Sequence, residues 1–73
     1  MNLKKYTIII EKGQNSYGAY VPDIPGLVTV SKSKDVTLDL CRQAIKEHIE
    51  TLQNDGKPLP EARSESESIE LEF

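Results

Sequence analysis

The sequence has no tryptophan, one phenylalanine, one histidine and a single cysteine. One thiol, Cys41, cannot close an internal disulfide and has no second cysteine to help hold a metal. A Cys41/His48 pair would supply only two ligands, with no evident third or fourth. The longest uninterrupted apolar run is Ile8-Ile9-Ile10, which is far too short for a membrane span. The lysines of Met1-Asn-Leu-Lys-Lys precede no signal-type apolar stretch, so a cytoplasmic protein is expected. Glycines are isolated at Gly13, Gly18, Gly26 and Gly56, which leaves no phosphate-cradling loop. Basic charge is also scarce, because the formal net charge is −3 and the pI is near 5.0. That balance argues against a broad nucleic-acid grip. It suits an acidic partner for something basic.

What is present is a globular composition of 37% apolar and 29% charged residues in a chain of 73, read as one domain over 1–73. Lys4 to Glu11 alternates as a strand, with Tyr6, Ile8 and Ile10 on one face and Thr7 and Ile9 on the other. The polar stretch 12–16 reads as a hairpin loop. Tyr17 to Val21 reads as a second strand with Tyr17, Ala19 and Val21 on one face and Tyr20 on the other. Pro22 stops it, and Asp23-Ile24-Pro25-Gly26 is a rigid corner, with proline at i+1 and glycine able to take φ > 0. Asp23 and Ile24 are expected to be displayed there. Leu27 to Val30 follows as a third strand, and short links imply an antiparallel meander.

From Lys34 to Asn54 the period changes. Leu38, Cys41, Ile45, His48/Ile49 and Leu52 step by three and four, which predicts a helix with one buried stripe. Ser33 is the expected N-cap, Asp35 sits in the first turn, and Gly56 followed by Pro58 and Pro60 ends the helix. Residues 61–68 read as a Ser/Glu-rich flexible linker. Residues 68–73 alternate Ile69, Leu71 and Phe73 against Glu70 and Glu72, as a half-buried strand does. The predicted class is α+β, in the order βββαβ, with the helix on one sheet face. The other face would carry Thr7, Ile9, Tyr20 and Thr29, and that apolar face or a sheet edge is a natural site of self-association.

A catalytic centre is hard to assemble from these residues. His48 has no nucleophile or carboxylate evidently aimed at it, and a core-boundary position explains it. Cys41 reads as a small buried hydrophobe. Glu11, Asp23, Asp35 and Asp39 are scattered, and no acid occupies the middle of strand one, so a two-metal nuclease site is not evident.

The segment Tyr17-Gly-Ala-Tyr-Val-Pro-Asp-Ile-Pro-Gly26 resembles the signature of HicB-type antitoxins. The match continues through Ala44-Ile45, His48-Ile49-Glu50 and Asp55-Gly-Lys-Pro-Leu-Pro60. Ser31 and Lys32 replace the glycine and acid that often precede the helix in that family. The resemblance implies a partial, degenerate RNase H-like fold with no catalysis and no cofactor. It implies a HicA-like toxin partner, a small basic mRNA-cleaving protein, which the antitoxin covers and neutralises. Many relatives add a C-terminal DNA-binding domain. This sequence stops at Phe73, so direct DNA binding is not expected. The residues expected to touch a partner are Tyr20, Asp23 and Ile24, with Asp39, Glu47 and Glu50 on the outer helix. A homo-oligomer (dimer or tetramer) is expected. The alternatives are a nucleic-acid-binding or metal-dependent nuclease-like protein using the sheet, and an orphan oligomer without a toxin.

Overall fold

The computed structural model describes residues 5–64. It contains β1 (Ile9–Lys12), β2 (Tyr17–Tyr20), β3 (Val28–Ser31) and α1 (Lys34–Asn54). The strands form an antiparallel sheet in the order β1-β2-β3, the expected meander. The expected last strand, 68–73, lies outside the described residues, as do residues 65–68 of the expected linker.

The first strand is shorter than its alternation predicts, beginning at Ile9 rather than near Lys4. Register explains this. Ile9 pairs with Tyr20 and Ile10 with Ala19, so continuing the ladder backwards would set Thr7 opposite Pro22, which has no N–H to donate. At the other end the Gly13 amide donates to the Ser16 carbonyl at 2.8 Å and closes the hairpin.

Residues directly opposite one another share a sheet face. Ile10, Ala19 and Thr29 therefore lie on one face, and Ile9, Tyr20 and Val28 on the other. Thr29 is on the helix side, not on the open side where the strand pattern put it. Leu27 is not part of the ladder, and the pairing of Val28 with Tyr20 sets the parity of β3. The open face consequently presents Val28 and Val30, which are 63% and 61% exposed. α1 packs on β2 and β3, so Ile10, on β1, stays partly exposed although it is on the covered side.

The helix has the predicted limits. The Ser33 side chain accepts from the Val36 amide at 3.4 Å, and the Ser33 backbone is extended, as an N-cap requires. At the C-terminus Gly56 takes φ 66. The Lys57 amide then donates to Leu52 and the Gly56 amide to Gln53, the paired bonds of a Schellman ending. The buried core among the described residues is Ala19, Val21, Ile24 and Cys41, with Tyr6, Ile8, Leu27 and Ile45 packed against it. Cys41 is fully buried, and burial pushes its thiol pKa up despite the opposing effects of Thr29 and Arg42.

One helical residue that the apolar periodicity passes over is buried: Thr37. Its Oγ1 lies 2.7 Å from the Ser33 carbonyl, 3.2 Å from the Tyr17 carbonyl and 2.5 Å from the Ser31 hydroxyl. The Thr29 hydroxyl donates to the Thr37 carbonyl at 3.0 Å. Thr37 thus fastens the first turn of α1 to both β2 and β3, and without its buried hydroxyl these part-buried polar atoms lose a partner. Thr37→Val, nearly the same in volume, is expected to destabilise the fold by about 1–3 kcal/mol. A urea titration checks this, with a lower midpoint at unchanged slope as the expected result.

Candidate functional site: the proline corner and its helix groove

The corner between β2 and β3 consists of two overlapping turns. The Ile24 amide donates to the Val21 carbonyl at 3.0 Å, closing a turn with Pro22 second. The Leu27 amide donates to the Ile24 carbonyl at 3.3 Å, closing the next turn with Pro25 second. Gly26, third in that turn, has φ 85, the left-handed value that glycine accepts without a Cβ clash. Both prolines therefore sit where their fixed φ favours the turn and no N–H is needed.

Ile24 joins the two turns, and its side chain points inward. It is only 2% exposed. The expectation that Ile24 is displayed is overturned, because both of its backbone polar groups are bonded within the turns and its apolar side chain closes the end of the core. Asp23 is half-buried and reaches in another direction. Its carboxylate accepts from the Ser64 amide at 3.1 Å and the Ser64 hydroxyl at 2.8 Å. Ser64 also accepts, through its carbonyl, from the Thr7 hydroxyl at 2.8 Å. The Tyr6 hydroxyl donates to the Pro60 carbonyl at 2.7 Å. These bonds fasten residues 60–64 across the sheet end, joining stretches more than forty residues apart in sequence. The described part of the expected linker, residues 61–64, has no regular element and ends on this clasp.

The clasp sets the electrostatics of both its acids. The Ser64 hydroxyl is the main cause that lowers the Asp23 pKa. Partial desolvation opposes it, while the Ser64 and Arg63 amides and the Arg63 charge add to it. Tyr6 is shifted up, first by desolvation and then by the Asp23 charge.

On the other side of the corner an open groove of about 410 Å³ runs between Ile24-Pro25-Gly26-Leu27 and the later turns of α1, where Ala44, Glu47, His48 and Thr51 line it. Of the residues expected to meet a partner, the structure brings Ile24 and Glu47 to this groove. Ile24 supplies part of its floor and Glu47 supplies its carboxylate. Asp23 is engaged with Ser64. Tyr20, 36% exposed, is on the open sheet face. Asp39 is exposed and paired with Arg42 at 3.0 Å. Glu50 is exposed and does not line the groove.

His48 was expected at the core boundary but is exposed, and it lines the groove with Thr51. The sequence pattern assigned His48 to the core boundary and gave Thr51 no role. The signal for them was the i, i+3, i+4 and i+7 spacing of Ala44, Glu47, His48 and Thr51, a second flank beside the apolar stripe. Among the described residues no group of three or more His, Cys, Asp or Glu side chains is placed to hold a metal, and no helix is long and apolar enough to cross a membrane.

The family described as "HicB_like antitoxin of bacterial toxin-antitoxin system" matches residues 6–72. The chain is similar to UPF0150 protein Ta0767 of Thermoplasma acidophilum, at 33% identity over 66 residues that cover 89% of this chain and 96% of that protein. No solved structure gives a significant match.

The clasp has a defined pH dependence. A carboxyl whose pKa is lower folded than unfolded stabilises the fold above its unfolded pKa, and that stabilisation is lost as pH falls through the folded value. The Asp23 contribution is therefore present at neutral pH and disappears on the acid side of the ordinary carboxylate value of 3.8. In an NMR titration the Ser64 amide resonance is expected to move in that acid range in the wild-type chain. In Asp23→Asn the same resonance should start near its acid position and lose this step.

Proposed function

The chain belongs to the HicB-like antitoxin family, and from that premise we propose that it is a non-catalytic antitoxin module that binds and neutralises a small basic, mRNA-cleaving toxin of the HicA type. The observation that carries the reading is the proline corner. The family match runs through it, and in the fold it is a rigid element that places an acid-bearing groove at the surface. The groove offers the combination a protein contact uses, an apolar floor with a charge at its rim. Glu47 is the residue assigned to a basic side chain of the toxin, with Pro25 and Leu27 as the apolar walls. Asp39 and Glu50 on the outer helix, together with the net charge of −3, favour the approach of a basic protein more than they hold it. Tyr20 belongs to a separate contact area on the open sheet face. Asp23 serves by fixing the corner, and Ile24 by supporting the groove from beneath.

The meander followed by a helix on one face supports a partial RNase H-like arrangement. The same reading makes the chain one domain that acts in the cytoplasm as a homo-oligomer. A nuclease role is less well supported. Asp23, the acid it would recruit from the corner, is already committed to Ser64.

The reading expects a small basic protein to be encoded beside this chain, and co-expression of the two is the direct test. A co-purifying complex and relief of growth arrest are expected, and failure of both sinks the reading. Within such a complex, Glu47→Arg is expected to weaken binding by about tenfold or more while leaving the thermal melt of the free chain unchanged, since Glu47 is exposed. Full affinity in that variant would move the contact away from the groove.

A further inference from the structure

We propose that the groove beside the proline corner is an arginine socket, in which Glu47 and Thr51 together hold one guanidinium of the toxin and Thr51 sets the choice of arginine over lysine. The inference rests on the toxin reading for its occupant and goes beyond it in naming the side chain and the residue that selects it. A groove of about 410 Å³ is near the small end of ligand-sized sites. It suits one long side chain better than a whole helix or strand.

The polar groups that line it accept far more than they donate. Glu47, once ionised, is an acceptor only. The ion pairs among the described residues join Arg42 to Asp39 and Arg63 to Glu61, so no cation there engages Glu47. The Thr51 hydroxyl donates to the Glu47 carbonyl at 2.9 Å, which commits its one hydrogen and leaves its oxygen as an acceptor. On the corner side the Ile24 and Leu27 amides are spent in the turns, and Pro25 has none. An anion would find little to bind, whereas a donor-rich cation finds its partners. Pro25, Leu27 and Ala44 give apolar walls that fit the methylene stem behind such a cation.

Spacing separates the two basic side chains. Glu47 and Thr51 are four residues apart on one helix flank, where Cβ atoms are about 5–6 Å from each other. A guanidinium carries five N–H donors in a rigid plane, so its nitrogens reach the carboxylate and the hydroxyl oxygen separately and at once. A lysine ammonium has a single nitrogen that must sit between two acceptors one helical turn apart, and it gives up its water less readily. Gly26 lines the corner side without a side chain, which lets a flat group come close to the backbone. The other helix acids offer no such pairing. Asp39 already holds Arg42, and Glu50 does not line the groove.

The test uses the isotopically labelled full chain and needs no toxin. It is titrated at neutral pH and fixed ionic strength with N-acetyl-arginine methylamide and, separately, with N-acetyl-lysine methylamide. The arginine probe is expected to move the Gly26, Leu27, Glu47 and Thr51 amide resonances saturably, with the lysine probe weaker by about threefold or more. Glu47→Gln is expected to lose about tenfold in affinity for the arginine probe. Glu11→Gln, which removes an equal charge on β1, is expected to lose none. Thr51→Val should bring the two probes level, and Thr51→Ser, which keeps the oxygen, should restore the preference. A merely structural role for Thr51 would move both probes alike. Equal affinity of the wild-type chain for the two probes, shifts confined to other residues, or a Thr51→Val variant with undiminished preference overturns the proposal. A chain that neutralises a toxin but shows no arginine preference overturns the socket alone. One that prefers the arginine probe at these residues but binds no toxin removes the toxin as occupant, while the guanidinium site stands.

Discussion

Ile24 is the residue on which the rest of the structure turns. Its amide closes one proline turn and its carbonyl closes the next, so a single residue spends its backbone donor and acceptor holding the corner. With its backbone fixed, its side chain enters the core beside Val21 and Cys41. Asp23, next to it, is carried outward to Ser64. Burial on one side and hydrogen bonding on the other thus come from adjacent residues in a chain whose φ angles are set by Pro22 and Pro25. The groove exists because this corner holds its shape while α1 passes alongside.

What keeps α1 alongside is polar as much as apolar. The helix begins at an N-cap serine, and Thr37 one turn later is bonded toward both β2 and β3. A buried hydroxyl of this kind is directional where hydrophobic burial is not. It fixes where along the sheet the helix starts, and so which later residues reach the corner. Ala44, Glu47, His48 and Thr51 are two to four turns further on, and their position at the groove follows from that start.

The charge distribution separates the surfaces. The acids along α1 and at the groove suit a basic partner, while β3 itself carries no charge. The open sheet face, with Ile9, Tyr20, Val28 and Val30, is more apolar than solvent exposure alone requires.

The elements themselves were legible in the residues. Proline and glycine placement marked the corner, Ser33 and Gly56 bounded the helix, and its apolar period gave the length of α1, because each of these is a local property of the backbone. The parity of β3 was not legible. Whether Thr29 or its valine neighbours face the helix depends on pairing with β2, which alternation within a single strand cannot supply. The same limit applies to site residues. The sequence alone marked Asp23, Ile24 and Glu47 as candidates, but the direction each side chain takes depends on contacts with residues distant in the chain. Asp23 is bonded to Ser64, Ile24 is sealed by Cys41 and its neighbours, and Glu47 meets the corner only because α1 crosses it. Local chemistry determined the turns, caps and strands, and long-range packing alone decided which of their side chains were left free to act.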